Sequence, residues 1–295
     1  MVVKTASRAL SFKVLAIAPM VAMLLAFSFY PVIQLFLMSF ADVTYLRGAR
    51  VWEWVGFANY LAALRDEIFW VSLRNTFVYW IGAMSAELLI GFGLALAASR
   101  VTRFATVYRT ILMLPLLVPP IAVATAWRLI FNANFGLVNQ VALALGLPQQ
   151  YWLSNPETAL AAIIAVSVWY WTSYTFILLL AGLQSIPSEL YEAARIDGAR
   201  GWASLRFVTL PLLAPALIVT VLFRTINAFK VFDIVYALTG GGPGISTEVI
   251  NTYAYKVFIT QHRLGYGASL SALAILIVAV IAISYNRIFS VRGVR

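Results

Sequence analysis

Long uncharged stretches alternate with short polar segments along most of the chain. The first stretch has no charged residue between Lys13 and Asp42, which exceeds the roughly 20 residues that a helix needs to cross the hydrocarbon core. It also exceeds the apolar region of a signal peptide, about 7 to 15 residues, so we expect a first helix that is retained. The same pattern predicts six membrane-spanning helices, at about residues 14–41, 75–99, 108–131, 157–185, 207–235 and 264–288.

The composition agrees with a chain that lies mostly in a bilayer. It is 62% hydrophobic and 11% charged, whereas soluble domains are about 25% charged, and its mean hydropathy is +0.89. No soluble domain and no convincing internal repeat are visible, which weighs against secondary transporters that are built from inverted halves. The predicted fold class is an all-α polytopic membrane protein in which residues 1–295 form a single transmembrane domain.

The residue types that hold metals and nucleotides are scarce. The chain has no cysteine and one histidine, His262, so we expect no disulfide and no metal site. A Walker A loop requires Gly-Lys followed by Ser or Thr, and no Gly-Lys dipeptide occurs. We therefore expect no cofactor in this chain, and any energy from ATP has to come from partners.

Basic residues lie in clusters between the apolar stretches and give a formal charge of +10. With six helices both termini lie on one side, and the loops of that side are richer in Lys and Arg. The positive-inside rule then places both termini in the cytoplasm. The predicted inner residues are Lys4, Arg8, Lys13, Arg100, Arg103, Arg109, Arg195, Arg200, Arg206, Arg287, Arg292 and Arg295, and the predicted outer residues are Arg47, Arg50, Arg65, Arg74, Lys256 and Arg263.

Two segments on the predicted outer side have patterns of their own. Residues 43–73 mix charges with aromatic side chains such as Trp52, Trp54 and Tyr60, which is typical of an amphipathic stretch at the membrane interface. Residues 132–156 are uncharged but rich in Asn, Gln, Gly and Pro. They predict an outer loop with a short re-entrant helix at about 138–145.

The cytoplasmic loop between the fourth and fifth predicted spans, about 186–206, has helix signals. Ser188 can cap a short helix at its start, and Gly198 can end it in a left-handed conformation. The small side chains of Ala193 and Ala194 would let a partner approach closely. Such a helix suits docking, and the alternative is a turn that only returns the chain to the membrane.

Three short motifs stand at fixed offsets in and after this loop. They are Glu192-Ala193-Ala194, Asp197-Gly198-Ala199 and Val208-Thr209-Leu210-Pro211. In order and spacing they resemble the EAA loop of ABC importer permeases, with Val208 where isoleucine is usual. The resemblance implies a type I ABC importer permease fold. It also implies coupling to a separate ATPase through Glu192, Ala193, Ala194, Asp197, Gly198 and Ala199.

A second set of segments narrows the resemblance. Phe-Asp-Ile-Val-Tyr at 232–236 and Leu-Thr-Gly-Gly-Gly-Pro at 238–243 precede Thr247-Glu248 and Gly-Tyr-Gly-Ala-Ser at 265–269. Together they are similar to the carbohydrate-uptake permeases of the maltose and glycerol-phosphate type. This implies an ATP-driven, binding-protein-dependent importer in a bacterial inner membrane. Its partners would be a second homologous permease, two cytoplasmic ATPase subunits that bind ATP and Mg²⁺, and an external solute-binding protein.

Polar and aromatic residues within the spans are candidates for the solute pathway. Aromatic faces suit sugar rings, and span four has an aromatic and hydroxyl run from Ser167 to Tyr174. A charge in a span is costly unless it faces a cavity or a partner, so Arg224 is a candidate; Glu87 could pair with it or with the second permease. Helix packing is the alternative role for each residue. The resemblance to maltose-type permeases implies a pathway through Ser167, Trp171, Tyr174, Arg224, Asn227, Ala228 and Val231, the last four predicted to lie near one helical face.

Two other function classes stay open at this point. A secondary transporter would need an intramembrane acid for ion coupling, and Glu87 is the one clear candidate. A membrane-embedded enzyme would need a cluster of His, Asp or Cys near the membrane surface, and the sequence offers none. Among importers, the solute is a sugar, a polyol, an oligosaccharide or a sugar phosphate.

Overall fold

Helices form most of the chain in a computed structural model, which describes residues 15–46, 49–101 and 103–293. Residue 14 of the first predicted span and the basic residues Lys4, Arg8, Lys13, Arg47 and Arg295 lie outside the described residues. In chain order the elements are α1 (Leu15–Ser39), β1 (Ala41–Leu46), β2 (Ala49–Trp54), α2 (Ala58–Arg65), α3 (Glu67–Arg100), α4 (Ala105–Leu117), α5 (Pro120–Ile130), α6 (Leu137–Ala144), α7 (Pro156–Gln184), α8 (Ser188–Ile196), α9 (Trp202–Phe229), α10 (Asp233–Leu238), α11 (Ile250–Tyr255, continued by a π-helical turn at Lys256–Thr260) and α12 (Leu264–Gly293).

The chain divides into two units. One contains the residues up to Asp66 together with Ala254–Leu273, and the other contains Glu67–Tyr253 together with the residues from Ala274 onward. Among the described residues, five helices are long and apolar enough to cross a membrane: α1, α3, α7, α9 and α12. These five correspond to five of the six predicted spans, so the prediction of a helical polytopic membrane protein is confirmed.

The third predicted span, residues 108–131, consists of two helices. α4 and α5 meet at an angle of 93°, with Val118 and Pro119 between them in extended conformations. Pro119 and Pro120 explain the break, because a proline lacks the N–H group and the residue before it avoids helical backbone angles. The pair counts as a sixth span only when the two bent helices are taken together.

The first unit contains a β-hairpin. β1 and β2 pair antiparallel, with Ala41 opposite Trp54. Ala41 and Val43 are fully buried, whereas Asp42 and Thr44 are exposed, which is the period of two expected for a half-buried strand. The prediction for residues 43–73 was an amphipathic stretch at the membrane interface, and it included no strand. The alternation of apolar and polar residues in Ala-Asp-Val-Thr, at 41–44, was the available signal for a strand.

Close backbone contact also defines this unit. A Cβ atom on Gly265 would collide with the carbonyl group of Ala41, so the start of α12 requires glycine beside β1. The same carbonyl oxygen accepts a hydrogen bond from Nδ2 of Asn59 at 3.0 Å, and the hydroxyl of Tyr266 donates to the Asp66 carboxylate at 2.5 Å. Two residues of the sequence motif at 265–269 therefore have packing roles.

The centre of the second unit is formed by α3, α7 and α9. A Cβ atom on Gly91 of α3 would lie 2.8 Å from Cγ2 of Thr175 in α7, and one on Gly182 of α7 would lie 2.6 Å from Cβ of Ala216 in α9. Small residues let membrane helices approach closely, and packing of this kind drives their association. The three helices are thereby held near enough for polar side chains within them to meet.

Several observed helix boundaries differ from the sequence prediction, and two of them bear on the site. α3 begins at Glu67 rather than near residue 75, and α9 ends at Phe229 rather than near 235, with Lys230 as its C-cap. Asp233 then begins the short helix α10. The expectation that Val231 continues the helical face of Arg224 is therefore wrong, because Val231 lies beyond the end of α9.

Candidate functional site

A buried ion pair joins α3 to α9. Nε of Arg224 lies 2.6 Å from Oε2 of Glu87, and Nη2 lies 2.9 Å from Oε1. Both side chains have 0% exposure. The paired geometry of two parallel hydrogen bonds is the strong form of a guanidinium-carboxylate contact, and it compensates two charges that would each be costly alone in a membrane. Of the two partners considered for Glu87, the structure selects Arg224.

Hydroxyl groups from α3 and α7 extend this contact. Oγ of Ser167 donates to Oε1 of Glu87 at 3.3 Å, and the hydroxyl of Tyr79 lies 2.7 Å from the same Oγ. Because the single proton of Ser167 is used on Glu87, Tyr79 is the donor in the second bond. Tyr79 was not predicted from the sequence; its position about two turns before Glu87 on the same helix was the available signal.

The ring of Trp171 covers the guanidinium group on another side. Cζ of Arg224 lies 4.4 Å from the ring centroid, which is within the range of a cation–π contact. The ring of Tyr174 lies 5.8 Å from that of Trp171, at 86° to it. Nη1 of Arg224 is buried without a hydrogen-bond partner. The structure thus brings Ser167, Trp171 and Arg224 together, with Tyr174 beside Trp171.

The remaining predicted pathway residues have different surroundings. Nδ2 of Asn227 donates to the carbonyl oxygen of Phe223 in its own helix at 2.9 Å. Ala228 and Val231 are buried in an apolar cluster that also contains Tyr170 and, at its edge, Trp171. Trp171, Tyr174 and Asn227 are half-buried. The predicted pathway residues that are partly accessible therefore carry aromatic rings or an amide group.

The glycine-rich segment after α10 is fixed by α3. Nδ2 of Asn75 lies within hydrogen-bond distance of three carbonyl oxygens, those of Ile245 (3.3 Å), Ser246 (3.1 Å) and Glu248 (3.0 Å). The hydroxyl of Thr76 accepts from the backbone N–H of Ile250 at 3.1 Å. Asn75 and Thr76 were not identified from the sequence, because a contact across more than 170 positions leaves no local signal.

The predicted docking helix exists as α8. Pro187 is its N-cap, without a side-chain capping bond, so the prediction that Ser188 caps the helix is wrong; Ser188 is its first residue. Gly198 follows with φ +81°, and the N–H of Ala199 donates to the carbonyl oxygen of Ala194 at 2.8 Å. This left-handed ending is the one predicted for Gly198, and it satisfies carbonyl groups that a helix end leaves free.

The residues of the EAA motif have mixed exposure. Ala194 is buried and Ala199 is half-buried, whereas Glu192, Ala193, Asp197 and Gly198 are exposed. Ile196, on the same helix, is 87% exposed. A cavity of about 780 Å³ borders α8 and the ends of α3 and α7. It is lined in part by Arg100, Gln184, Tyr191, Glu192 and Arg195.

A side-chain contact links α8 to the start of α9. The hydroxyl of Tyr191 donates to Oγ1 of Thr209 at 3.4 Å. α9 also carries Arg224, so this contact connects α8 to the helix that contains the ion pair. Within residues 15–46, 49–101 and 103–293, no group of three or more His, Cys, Asp or Glu side chains lies close enough to hold a metal ion.

A known family matches most of the unit that contains Glu67–Tyr253 and the residues from Ala274 onward. Residues 88–291 match the family model described as "Binding-protein-dependent transport system inner membrane component". The matched region is more than half of the chain. It contains α8 as well as Ser167, Trp171 and Arg224.

Two curated relatives are similar over nearly the whole chain. The "Trehalose/maltose transport system permease protein MalF" of Thermococcus litoralis is 38% identical over 275 residues, which cover 93% of this chain and 92% of the relative. The "Sulfoquinovosyl glycerol transport system permease protein SmoG" of Agrobacterium fabrum is 36% identical over 275 residues, which cover 93% of this chain and 89% of the relative.

A solved structure shares the fold. It is the crystal structure of a bacterial ABC transporter involved in the import of the acidic polysaccharide alginate, in which the matching chain has a TM-score of 0.84, 24% identity and 97% coverage of both chains. The predicted permease fold is thereby confirmed. The comparisons favour a transport subunit over an enzyme and do not favour a secondary transporter. The chain belongs to the family of binding-protein-dependent transport system inner membrane components, the membrane-embedded permease subunits of ABC importers.

Proposed function

We propose that this chain forms half of a membrane pathway that imports a sugar or sugar-like solute, and that it couples the pathway to a separate ATPase through α8. The observation that carries the proposal is the contact of Trp171 with Arg224, two of the positions implied by the resemblance to maltose-type permeases. An aromatic face next to polar donors suits carbohydrate rings. The solutes named for the two relatives, trehalose or maltose and sulfoquinovosyl glycerol, support this class.

The assembly proposed around this chain contains a second homologous permease, paired cytoplasmic ATPase subunits and a periplasmic or extracellular solute-binding protein. ATP and Mg²⁺ belong to the ATPase subunits. The dependence on a binding protein agrees with the family description. The charge bias of the loops supports a bacterial inner-membrane location with both termini in the cytoplasm.

In the proposed mechanism, α8 lies in a groove of an ATPase subunit. Its exposed residues Glu192, Ala193, Asp197 and Gly198 supply the contact surface. ATP binding favours the closed ATPase dimer and so displaces α8, and the Tyr191–Thr209 contact passes this displacement to α9. The membrane cavity then opens outward, accepts solute from the binding protein, and releases it inside after hydrolysis; each ligand shifts the equilibrium between the two states.

A secondary-transport mechanism is disfavoured on physical grounds as well. Ion coupling needs an acid in the span that can bind and release a cation. Glu87 is instead held by two hydrogen bonds from Arg224 and one from Ser167. Its charge is therefore already compensated by the protein.

Purification of the tagged chain from cells that express its neighbouring genes tests the proposal. We expect a second permease and an ATPase to co-purify, and we expect the binding protein with a sugar to stimulate ATP hydrolysis after reconstitution. Solute uptake that is driven by an ion gradient in the absence of ATP would contradict the proposal.

A further inference from the structure

The positive charge of Arg224 is compensated within the subunit by the carboxylate of Glu87. It is the one charged residue between Arg206 and Lys230 in the sequence, just as Glu87 is the one between Arg74 and Arg100. Nε and Nη2 of Arg224 are both used on Glu87, at 2.6 and 2.9 Å. With 0% exposure of both side chains, the pair is formally neutral and removed from solvent.

The predicted pathway residues that remain partly accessible are uncharged. They are the aromatic rings of Trp171 and Tyr174 and the amide of Asn227, all half-buried. α7, which carries both rings, has no charged residue between Glu157 and Glu189. A solute that reaches these residues therefore meets a neutral surface on this subunit, with the ion pair behind the Trp171 ring.

An anionic solute would be costly in such a place. A carboxylate, sulfonate or phosphate group that leaves water needs a cation and further hydrogen bonds to compensate the lost hydration. Arg224 could supply that charge only by leaving Glu87, which would transfer the unpaired charge to a buried carboxylate. A hydroxyl group needs only a hydrogen bond, which the half-buried amide of Asn227 can supply.

We propose that the pathway is selective for an uncharged solute, a neutral sugar or polyol, and that Glu87 determines this selectivity by cancelling the charge of Arg224. The inference rests on the function proposed above, because it concerns the solute class of the same pathway. It excludes sugar phosphates and sugar acids from the solutes that the sequence left open. Glu87 acts through Arg224 and is a positioning residue.

The first test uses the assembled transporter in proteoliposomes with its binding protein. Trehalose, maltose and sorbitol serve as neutral probes; glucose 6-phosphate, glucuronate and sulfoquinovosyl glycerol serve as anionic probes. Each probe that the binding protein accepts is supplied at a saturating concentration, so that initial uptake reports the membrane step. We expect neutral probes to enter at least about tenfold faster, which corresponds to about 1.4 kcal/mol.

The outcomes separate this inference from the proposed function. Equal or faster uptake of an anionic probe would overturn the neutral-solute inference and leave the sugar importer intact. Failure of every carbohydrate to enter or to stimulate ATP hydrolysis would overturn both, because the inference depends on a sugar pathway.

The second test changes the charge balance in the span. Glu87→Gln leaves Arg224 uncompensated, so we expect the ratio of anionic to neutral uptake to rise at least about tenfold, after normalisation to the recovered complex. A purely structural role of Glu87 would lower both rates and leave the ratio unchanged, which would refute its part in selectivity. Glu87→Gln combined with Arg224→Gln removes both charges, so the site stays neutral. That double variant should keep the preference for neutral probes, and its loss would overturn the inference even if the single variant does not assemble.

Discussion

Gly182 in α7 faces Ala216 in α9 so closely that a Cβ atom on the glycine would lie 2.6 Å from the alanine Cβ. This contact lies on the same pair of helices as Trp171 and Arg224. The close spacing between α7 and α9 therefore depends on the absence of a side chain at Gly182.

We predict that Gly182→Ala weakens the packing of α7 against α9. Inserting a methyl group into a filled interface costs about 1–3 kcal/mol, so the thermal stability of the purified complex and the yield of assembled complex should fall. The matched control is Gly93→Ala in α3, where an added Cβ meets nothing within 4 Å. That variant should be neutral, or more stable by up to about 1 kcal/mol. Equal effects of the two substitutions would show that the contact at Gly182 is unimportant.

A second prediction concerns the end of α8. Gly198→Asp should strongly reduce ATP hydrolysis stimulated by the binding protein, because added volume and a negative charge would enter a close-fitting groove of the ATPase. Glu192→Lys should do the same by reversing a charge. Gly198→Asn has nearly the volume of Asp without its charge and tolerates a positive φ, so it isolates the charge effect.

Gly146 provides the control for the backbone effect. Its φ is +75° and, like Gly198 at +81°, it has open space where a Cβ would stand. Gly146→Asp should leave stimulated hydrolysis near the wild-type rate while imposing a similar backbone cost. Normal uptake by Gly198→Asp and Glu192→Lys would end the assignment of α8 as the coupling element.

A third prediction concerns sidedness. The native chain has no cysteine, so single cysteines can be labelled without competing thiols. Cysteine at Ile245, which is 36% exposed, should react with an impermeant reagent added to intact cells, whereas cysteine at Ser99, exposed near the end of α3, should react only after permeabilisation. Ser246 is a poorer position, because its Oγ is buried. Labelling of position 99 alone in intact cells would invert the proposed topology.

A fourth prediction compares two tryptophans of α7. Trp171→Leu removes the aromatic face proposed to contact a sugar ring, and an aromatic contact is worth about 0.5–1.5 kcal/mol, so the apparent affinity of the membrane pathway for its solute should fall about 2- to 13-fold. Trp169→Leu is the control, since the Trp169 ring contacts Trp127 instead, at 5.7 Å. Solute uptake by reconstituted complexes measures both. Unchanged uptake in Trp171→Leu and in its double variant with Asn227→Leu would remove Trp171 and Asn227 from the pathway.

Features with a strong local signal could be predicted from the sequence. The spans follow from long uncharged stretches, and the left-handed end of α8 follows from a glycine after a short helical pattern. The ion pair was also predictable, because Glu87 and Arg224 each need a partner inside the membrane.

Features that depend on tertiary contact were missed. The end of α9 before Val231 has no strong breaker in the sequence, and the bonds of Nδ2 of Asn75 to the carbonyls of residues 245–248 join distant segments. The hairpin of β1 and β2 had a local signal in the alternation of residues 41–44, which the sequence prediction did not use. The break at Pro119 was also visible in the sequence, yet the apolar composition on both sides favoured one continuous span.

The ion pair also has a consequence for the insertion of the chain into the membrane during synthesis. Glu87 leaves the ribosome 137 residues before Arg224, and chain elongation at about 5–20 residues per second separates the two by roughly 7 to 27 s. During that interval α3 carries an unpaired acid, at a cost of roughly 2.5–3.5 kcal/mol if it lies at the centre of the bilayer. A nascent permease should therefore keep α3 beside the insertion machinery until α9 arrives. In a chain that lacks Arg224, Glu87 would keep this unpaired charge after synthesis is complete.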